Sequence, residues 1–246
     1  MELAEEISGW IKEQIEGAGA RGAVVGLSGG LDSSVTAVLC KRVTDILGLI
    51  MPIHSDPLDE ESASLLAKEF DIQVRRVDLS PVYDALVKVL PDPTGLPAAN
   101  LKPRLRMATL YYFANKENRL VVGTGNKSEI MMGYFTKYGD GGVDILPLGG
   151  LLKGQVRELA RELGVPPQII AKPPSAGLWA GQTDEGELGI TYDQLDQILT
   201  AFKSGDTVDF DPQLVDRVKC HIAETKHKRV PIPVFEIRAL ARDGVV

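Results

Sequence analysis

Apolar and polar positions follow two alternating periods along the first half of the chain. Runs rich in β-branched and aliphatic residues, GAVVGLS (22–28), LGLIMPIH (47–54), IQVRRVDL (72–79) and RLVVGT (119–124), read as strands. Between them, helical spacing covers 32–46, 58–70, 81–90 and 105–117, each segment long enough to cross back over a sheet and return parallel. This alternation predicts an α/β fold, an open parallel sheet with helices on both faces. The opening segment MELAEEISGWIKEQI has the pattern of an acidic amphipathic helix, and PDPTGLPAAN (91–100) reads as a breaker-rich loop.

After residue 124 the strand signal nearly stops. A short helix near 126–132 leads to a glycine-rich loop, GDGGVDILPLGG (139–150), and an amphipathic helix over 153–164. A polar loop then runs to about residue 190, helices are expected near 191–202 and 211–225, and KHKRVPIPV follows. With no repeat, linker or low-complexity tract, the expectation is a single domain over 1–246. Its residues 1–125 form an α/β core, and 126–246 form a helical, loop-rich part that completes the site.

Charge and cysteine usage narrow the classes. A net charge of −7 over 246 residues offers no general grip on a nucleic acid backbone, so a small-molecule ligand is expected. Cys40 and Cys220 are isolated, with no CxxC or His/Cys cluster, which argues against a zinc site, a redox pair or a disulfide framework. The N-terminus lacks a basic stretch followed by an apolar one, and no window reaches membrane-spanning length. A cytoplasmic protein with no membrane partner is the expectation.

The chemistry begins at VVGLSGGLDSSVT (24–36). A buried strand ending in Gly26 and Ser28, then Gly29, Gly30 and a helix near Asp32, places free backbone N–H groups and a helix dipole at one spot, which is an anion site. Ser28, Ser33 and Ser34 add hydroxyl donors. A Walker-type loop needs the lysine of GK[ST] to reach the β- and γ-phosphates, and that lysine is missing, so γ-phosphate transfer is not supported. The competing reading is a tight glycine turn capped by Asp32.

SGGLDSS resembles the pyrophosphate loop of the adenylating N-type ATP pyrophosphatases. That resemblance implies an adenine nucleotide alpha hydrolase-like fold, with ATP cut between its α- and β-phosphates and the loop holding the departing pyrophosphate. Further stretches, NLKPRLRM (100–107), VVGTGNKSE (121–129), GYFTKYGDGGVDILPL (133–148), KPPSAGLWAGQTDEGELGI (172–190) and HKR (227–229), resemble the NAD synthetases in order and over nearly the whole chain. The resemblance implies amidation of deamido-NAD+ by ammonia to NAD+, through an NAD-adenylate, with AMP and pyrophosphate released. The amidase domain of the glutamine-dependent members does not fit within 246 residues, so the ammonia-dependent form is expected.

Site residues follow from the same resemblance. Gly26, Leu27, Ser28, Gly29, Gly30, Leu31, Asp32, Ser33, Thr124, Lys153 and Ser175 match ATP contacts. Asp32 and Glu129 match Mg2+ ligands, and as hard oxygen donors they suit that ion. Arg104, Lys137, Asp144, His227 and Lys228 match contacts to deamido-NAD+, and Asp32, Lys153 and Asp144 are given catalytic roles. Asp144 would either accept from a ribose hydroxyl or orient ammonia. A cation at a helix start, such as Lys153, opposes the helix dipole and so asks for another purpose.

Each residue also has a plainer reading. Asp32 is then a helix cap, Glu129 a solvated helical carboxylate, Lys153 a surface lysine, Thr124 and Ser175 turn hydroxyls, and KHKR a solvated tail. The stretch 176–190, with Trp179, is expected to be a lid that excludes water from the acyl-adenylate. The resemblance also implies a homodimer, for which MATLYYFA (107–114) offers an apolar face. Departures from the family pattern are Gly150 and Leu152 in place of Asp and Tyr, Pro103 in place of Ala, and Ser175 where Thr is common. The rivals are another AMP-forming pyrophosphatase, such as a tRNA-modifying enzyme or an amidotransferase subunit, and a nucleotide-binding module without chemistry.

Overall fold

A computed structural model describes residues 1–179, 181–204 and 210–235. The elements run α1 (Glu2–Gly17), β1 (Gly22–Gly26), α2 (Leu31–Lys41), β2 (Asp45–Ile50), α3 (Pro57–Glu69), β3 (Gln73–Arg76), α4 (Ser80–Val89), α5 (Gly95–Ala99), α6 (Leu101–Glu117) and β4 (Arg119–Val121). The second half contains α7 (Lys127–Met132), α8 (Lys153–Glu162), α9 (Pro167–Ile170), α10 (Asp184–Leu188), α11 (Tyr192–Ser204), α12 (Pro212–Glu224) and α13 (Lys226–Arg229).

The four strands form one parallel sheet in the order β3-β2-β1-β4. Alternation along β1 divides the core between the two faces. Ala23 and Val25 pack into a cluster with Ile11 of α1, Leu39 of α2 and Val156 of α8, whereas Val24 packs with Leu47, Leu49 and Phe113 of α6. Helices therefore cover both faces, as the sequence pattern predicts. The chain steps outward from β1 through β2 to β3, then returns to place β4 on the other side of β1. The loops after β1 and β4 consequently leave the sheet side by side, at the switch point where open α/β sheets hold ligands.

Several boundaries differ from the sequence reading. The helix expected over 32–46 stops at Lys41, and residues from Asp45 onward pair with Gly22 and its neighbours as β2. Val43 and Thr44, both β-branched and so weaker helix formers, lie in the turn that ends the helix, their N–H groups donating to Cys40 O at 3.1 and 3.0 Å. The breaker-rich stretch 91–100 holds α5, and α6 starts at Leu101 rather than 105. Pro97 and Pro103 both lie in first turns, where the N–H that proline lacks has no helical partner to lose. The polar loop before residue 190 contains α9 and α10. Thr183 caps α10, its hydroxyl accepting from Gly186 N at 3.3 Å, and Gly189 closes it in the left-handed conformation. The glycine-rich loop adds one parallel bridge, Val122 to Ile145, beside β4.

A separate core serves the second half. Met132, Leu188, Ile190, Tyr192, Leu195, Leu199 and Val218 pack α7, α10, α11 and α12 together. Contacts between α8 and both α2 and α11 join this core to the sheet.

Candidate active site

β1 delivers the chain to the site. Leu27 N–H donates to Leu49 O at 2.8 Å, extending the ladder one residue beyond Gly26. Gly29 then takes φ +75°, and Gly30 forms the extended N-cap of α2. The turn is held from within, by Ser28 Oγ to Ser33 Oγ at 3.0 Å and by Ser33 and Ser34 hydroxyls to Gly30 O at 3.0 and 2.8 Å. Gly30 supplies no side chain, so the first N–H groups of α2 have no side-chain cap. Asp32 does not cap the helix either.

Its carboxylate points instead across the switch point. Oδ1 accepts from Asn126 Nδ2 at 3.0 Å, and Oδ2 accepts from Lys153 Nζ at 2.5 Å. Asn126 is fully buried and caps α7 reciprocally with Glu129: Asn126 Oδ1 accepts from Glu129 N at 3.0 Å, and Glu129 Oε2 from Asn126 N at 3.2 Å. This box turns the other Glu129 oxygen toward Lys153 Nζ, 3.1 Å away. Asp32, Glu129 and Lys153, three residues named from sequence, thus meet as one cluster.

Lys153 is only 2% exposed, which rules out the surface-lysine reading. It is the first residue of α8, and its placement there is compensated on three sides. Lys153 N–H donates to Ser128 Oγ at 3.1 Å, Gly154 N–H to Asp196 Oδ2 at 2.8 Å, and Ser128 Oγ to Asp196 Oδ1 at 2.5 Å. Asp196 from α11 therefore supplies the negative charge that the α8 N-terminus favours. The ammonium also lies over the Tyr192 ring, 5.0 Å from its centroid. Burial works against the Lys153 charge, but the charges and hydrogen bonds of Asp32 and Glu129 outweigh it and leave its pKa above the ordinary lysine value. Burial pushes the Glu129 carboxyl up; the Lys153 ammonium pulls against that shift and the Asp32 charge adds to it.

Behind the cluster, Tyr192 OH donates to Asp184 Oδ2 at 3.0 Å, and burial holds the phenol protonated. Gln182 Nε2 reaches Glu187 Oε2 at 2.6 Å, and Tyr134 OH donates to the same carboxylate oxygen. QTDEGELG is thus folded down onto α7 and α11 rather than left in solvent.

The dinucleotide candidates divide into groups. Lys137 Nζ donates to His227 O at 2.8 Å, and Lys228 Nζ donates to Gly133 O and Phe135 O at 2.7 and 2.9 Å, so these three residues come together where α13 meets the loop after α7. Asp144 lies elsewhere, with Oδ1 accepting from Tyr111 OH at 2.9 Å and Oδ2 from Val121 N at 2.8 Å. Burial and that hydrogen bond push the Tyr111 phenol up to about 12. Arg104 is exposed on α6. Thr124 is half-buried between β4 and α7, and Ser175 is exposed, with its hydroxyl accepting from Gly177 N at 3.1 Å. Among the described residues, no hydrogen bond joins Ser175 to the carboxylate cluster.

Three contributors carry no label in the sequence reading. Asn126 had a signal, since N-x-x-E before an apolar run is a capping-box pattern. Asp196 and Tyr192 had none.

A parallel sheet with an uncapped glycine turn and a Lys-carboxylate cluster at its switch point defines an α/β nucleotide-binding protein. Residues 3–232 match the family model described as NAD synthase. The NH(3)-dependent NAD(+) synthetase of Finegoldia magna is 48% identical over 237 residues, covering 95% of each chain. Two solved structures overlay well: NMN synthetase from Francisella tularensis, 37% identical with a TM-score of 0.89, and the NH3-dependent NAD synthetase of Campylobacter jejuni, 29% identical with a TM-score of 0.84. Each overlay covers 96% of this chain and 98% of the other. The chain belongs to the NAD synthase family.

Proposed function

We propose that this protein makes NAD+ from deamido-NAD+, ATP and ammonia, releasing AMP and pyrophosphate. The observation that carries the proposal is the convergence of Asp32, Glu129 and Lys153 beside the SGG turn, in a chain of this family. The nicotinate carboxylate attacks the α-phosphorus and expels pyrophosphate; ammonia then attacks the acyl-adenylate carbonyl, expels AMP and loses a proton. The N–H groups at the start of α2, with Ser28 and Ser33, cradle the departing phosphates. Lys153 supplies the cation that the turn itself lacks. Thr124 and Ser175 complete the ATP site, while Arg104, Lys137, Asp144, His227 and Lys228 hold the dinucleotide.

The residues present fit Mg2+. Asp32 Oδ2 and Glu129 Oε1 already share one cation, the Lys153 ammonium. Among the described residues no group of three or more His, Cys, Asp or Glu could hold a metal, and the donors proposed here are the two hard carboxylates of Asp32 and Glu129. That set suits an ion completed by water and phosphate oxygens. Bound there, Mg2+ would neutralise charge on the pyrophosphate as it leaves.

The segment 176–190 serves as a lid that keeps water from the acyl-adenylate. A homodimer is proposed from α4, which buries none of its residues and exposes Val82 and Val89, and from the exposed Leu96 of α5 and Tyr112 of α6. No helix of the described residues is long and apolar enough to cross a membrane, and cytoplasmic residence is proposed on that and on the substrates.

The overlay on an NMN synthetase favours a second reading, in which the acceptor is the mononucleotide acid. Purified protein incubated with ATP, Mg2+, ammonium and either acid distinguishes them. NAD+ with stoichiometric AMP and pyrophosphate supports the main reading, and faster turnover of the mononucleotide supports the second. ADP and phosphate as products would overturn both.

A further inference from the structure

Lys172 opens the segment KPPSAGLWAGQTDEGELGI. Its ammonium lies 2.6 Å from Asp59 Oδ1, 3.3 Å from Ser62 Oγ and 3.4 Å from Gly29 O. Asp59 and Ser62 belong to the start of α3, and Gly29 is the residue of the glycine turn with φ +75°. A Cβ on Gly29 would fall 2.1 Å from Asp59 O, so α3 packs directly on the turn. One lysine thus joins the turn after β1, the start of α3 and the segment before α10.

The direction of the Gly29 carbonyl matters because a peptide unit is planar and trans, with its C=O and N–H pointing opposite ways. The Gly29 C=O faces Lys172, so the Gly30 N–H of the same unit faces into the turn, where it donates to Ser28 Oγ at 3.2 Å. Apart from that bond to Ser28 Oγ, neither residue has a side chain to resist rotation of the unit. A flip would turn a carbonyl oxygen toward the phosphates and remove one donor.

We propose that Lys172 is a positioning residue: together with Asp59 it fixes the Gly29–Gly30 peptide so that the Gly30 N–H faces the departing pyrophosphate. The proposal rests on the pyrophosphate-forming reading above. Lys172 acts through backbone, and Asp59 orients the lysine.

The test is calorimetric titration of magnesium pyrophosphate into the full-length protein and its variants, with unfolding midpoints measured alongside. Lys172 lines a cleft of about 850 Å3 with Arg157, Arg161, Pro173 and Pro174, and methionine, an unbranched side chain of similar reach, removes the charge without adding bulk. Lys172→Met and Asp59→Asn are each expected to weaken pyrophosphate binding on the order of tenfold, the scale of one charge-assisted hydrogen bond. The double variant is expected to be no weaker than either single one, and Lys172→Arg to retain most of the affinity. Wild-type affinity in Lys172→Met overturns the proposal. Tighter binding in Asp59→Asn also overturns it, because a lysine freed from Asp59 and contacting phosphate directly would behave that way. Should Lys172→Met not fold, Asp59→Asn and Lys172→Arg decide. A wild-type protein that binds no pyrophosphate overturns the underlying reading instead.

Discussion

The Lys153 ammonium lies 2.5 Å from an Asp32 carboxylate oxygen across 121 residues of sequence, and 3.1 Å from Glu129. One buried cation therefore serves two carboxylates that would otherwise repel. Removing it in Lys153→Met leaves both charges partly desolvated, a loss expected to cost about 3 kcal/mol of stability. Turnover should fall by on the order of a hundredfold or more, as for loss of one preorganised charge-stabilising group. If the two carboxylates also hold Mg2+, the ion should raise the thermal midpoint of Lys153→Met by more than it raises that of the wild type. Thermal denaturation with and without Mg2+ measures this, and an equal response in the two proteins would remove the case for a shared cation site.

Asn126 links the two loops of the switch point, donating to Asp32 while capping α7. Asn126→Ala deletes both bonds and leaves the Glu129 N–H without its side-chain acceptor. A stability loss of about 2 kcal/mol is expected from the lost cap and the stranded buried donor. Because Glu129 loses its aim, kcat/KM for ATP should fall more than the unfolding midpoint suggests. Asn126→Asp, which keeps the cap but presents a third carboxylate to Asp32, should be worse for activity than for the helix. Urea melts and steady-state kinetics on the two variants test that order.

What the sequence made legible follows from where the information lies. Asp32, Glu129 and Lys153 each sit inside a local pattern, a glycine turn, a strand-to-helix junction and a helix start, so each could be singled out and then found together. The two-faced sheet was legible because alternation in β1 and β2 is a local property. Asp196 and Tyr192 were not, since an aspartate and a tyrosine in an amphipathic helix look ordinary until α11 packs on α8. Their roles come from contacts across 42 and 63 residues. The helices α5, α9 and α10 were hidden because each is five residues or fewer, too short to show a helical period.

The two cysteines should behave oppositely. Cys40 is fully buried in α2, and burial pushes its thiol up to about 12, whereas Cys220 is exposed. A thiol reagent near neutral pH should therefore label Cys220 alone in the native protein, and both residues in urea. The sign of the pH effect follows from linkage. The folded pKa lies above the unfolded value of 9.0, so the native state holds its proton longer. The contribution of Cys40 is complete below about pH 9 and is lost as pH rises toward about 12. Unfolding free energies measured from neutral to alkaline pH should thus fall less steeply in Cys40→Ala than in the wild type. Equal slopes would mean that Cys40 is more open than its packing indicates.

Gly29 and Gly30 are adjacent, yet their substitutions should differ sharply. Gly29 has φ +75°, and a Cβ there would lie 2.1 Å from Asp59 O, a backbone atom that cannot move without shifting α3. Left-handed backbone at a non-glycine costs roughly 1 kcal/mol by itself, and the collision forces the turn away from α3. Gly29→Ala should therefore lose ATP binding by on the order of a hundredfold, because the N–H groups no longer converge on one anion. Gly30 has ordinary extended dihedrals of −94° and 170°, and its Cβ would meet only Ser28 Oγ at 3.3 Å. Gly30→Ala should keep ATP affinity within a few-fold of wild type, with the serine hydroxyl yielding slightly. Fluorescent ATP-analogue binding to both variants, with circular dichroism to confirm folding, separates the cases. Equal losses at the two positions would show that side-chain bulk near the phosphates, rather than the backbone conformation of Gly29, limits binding.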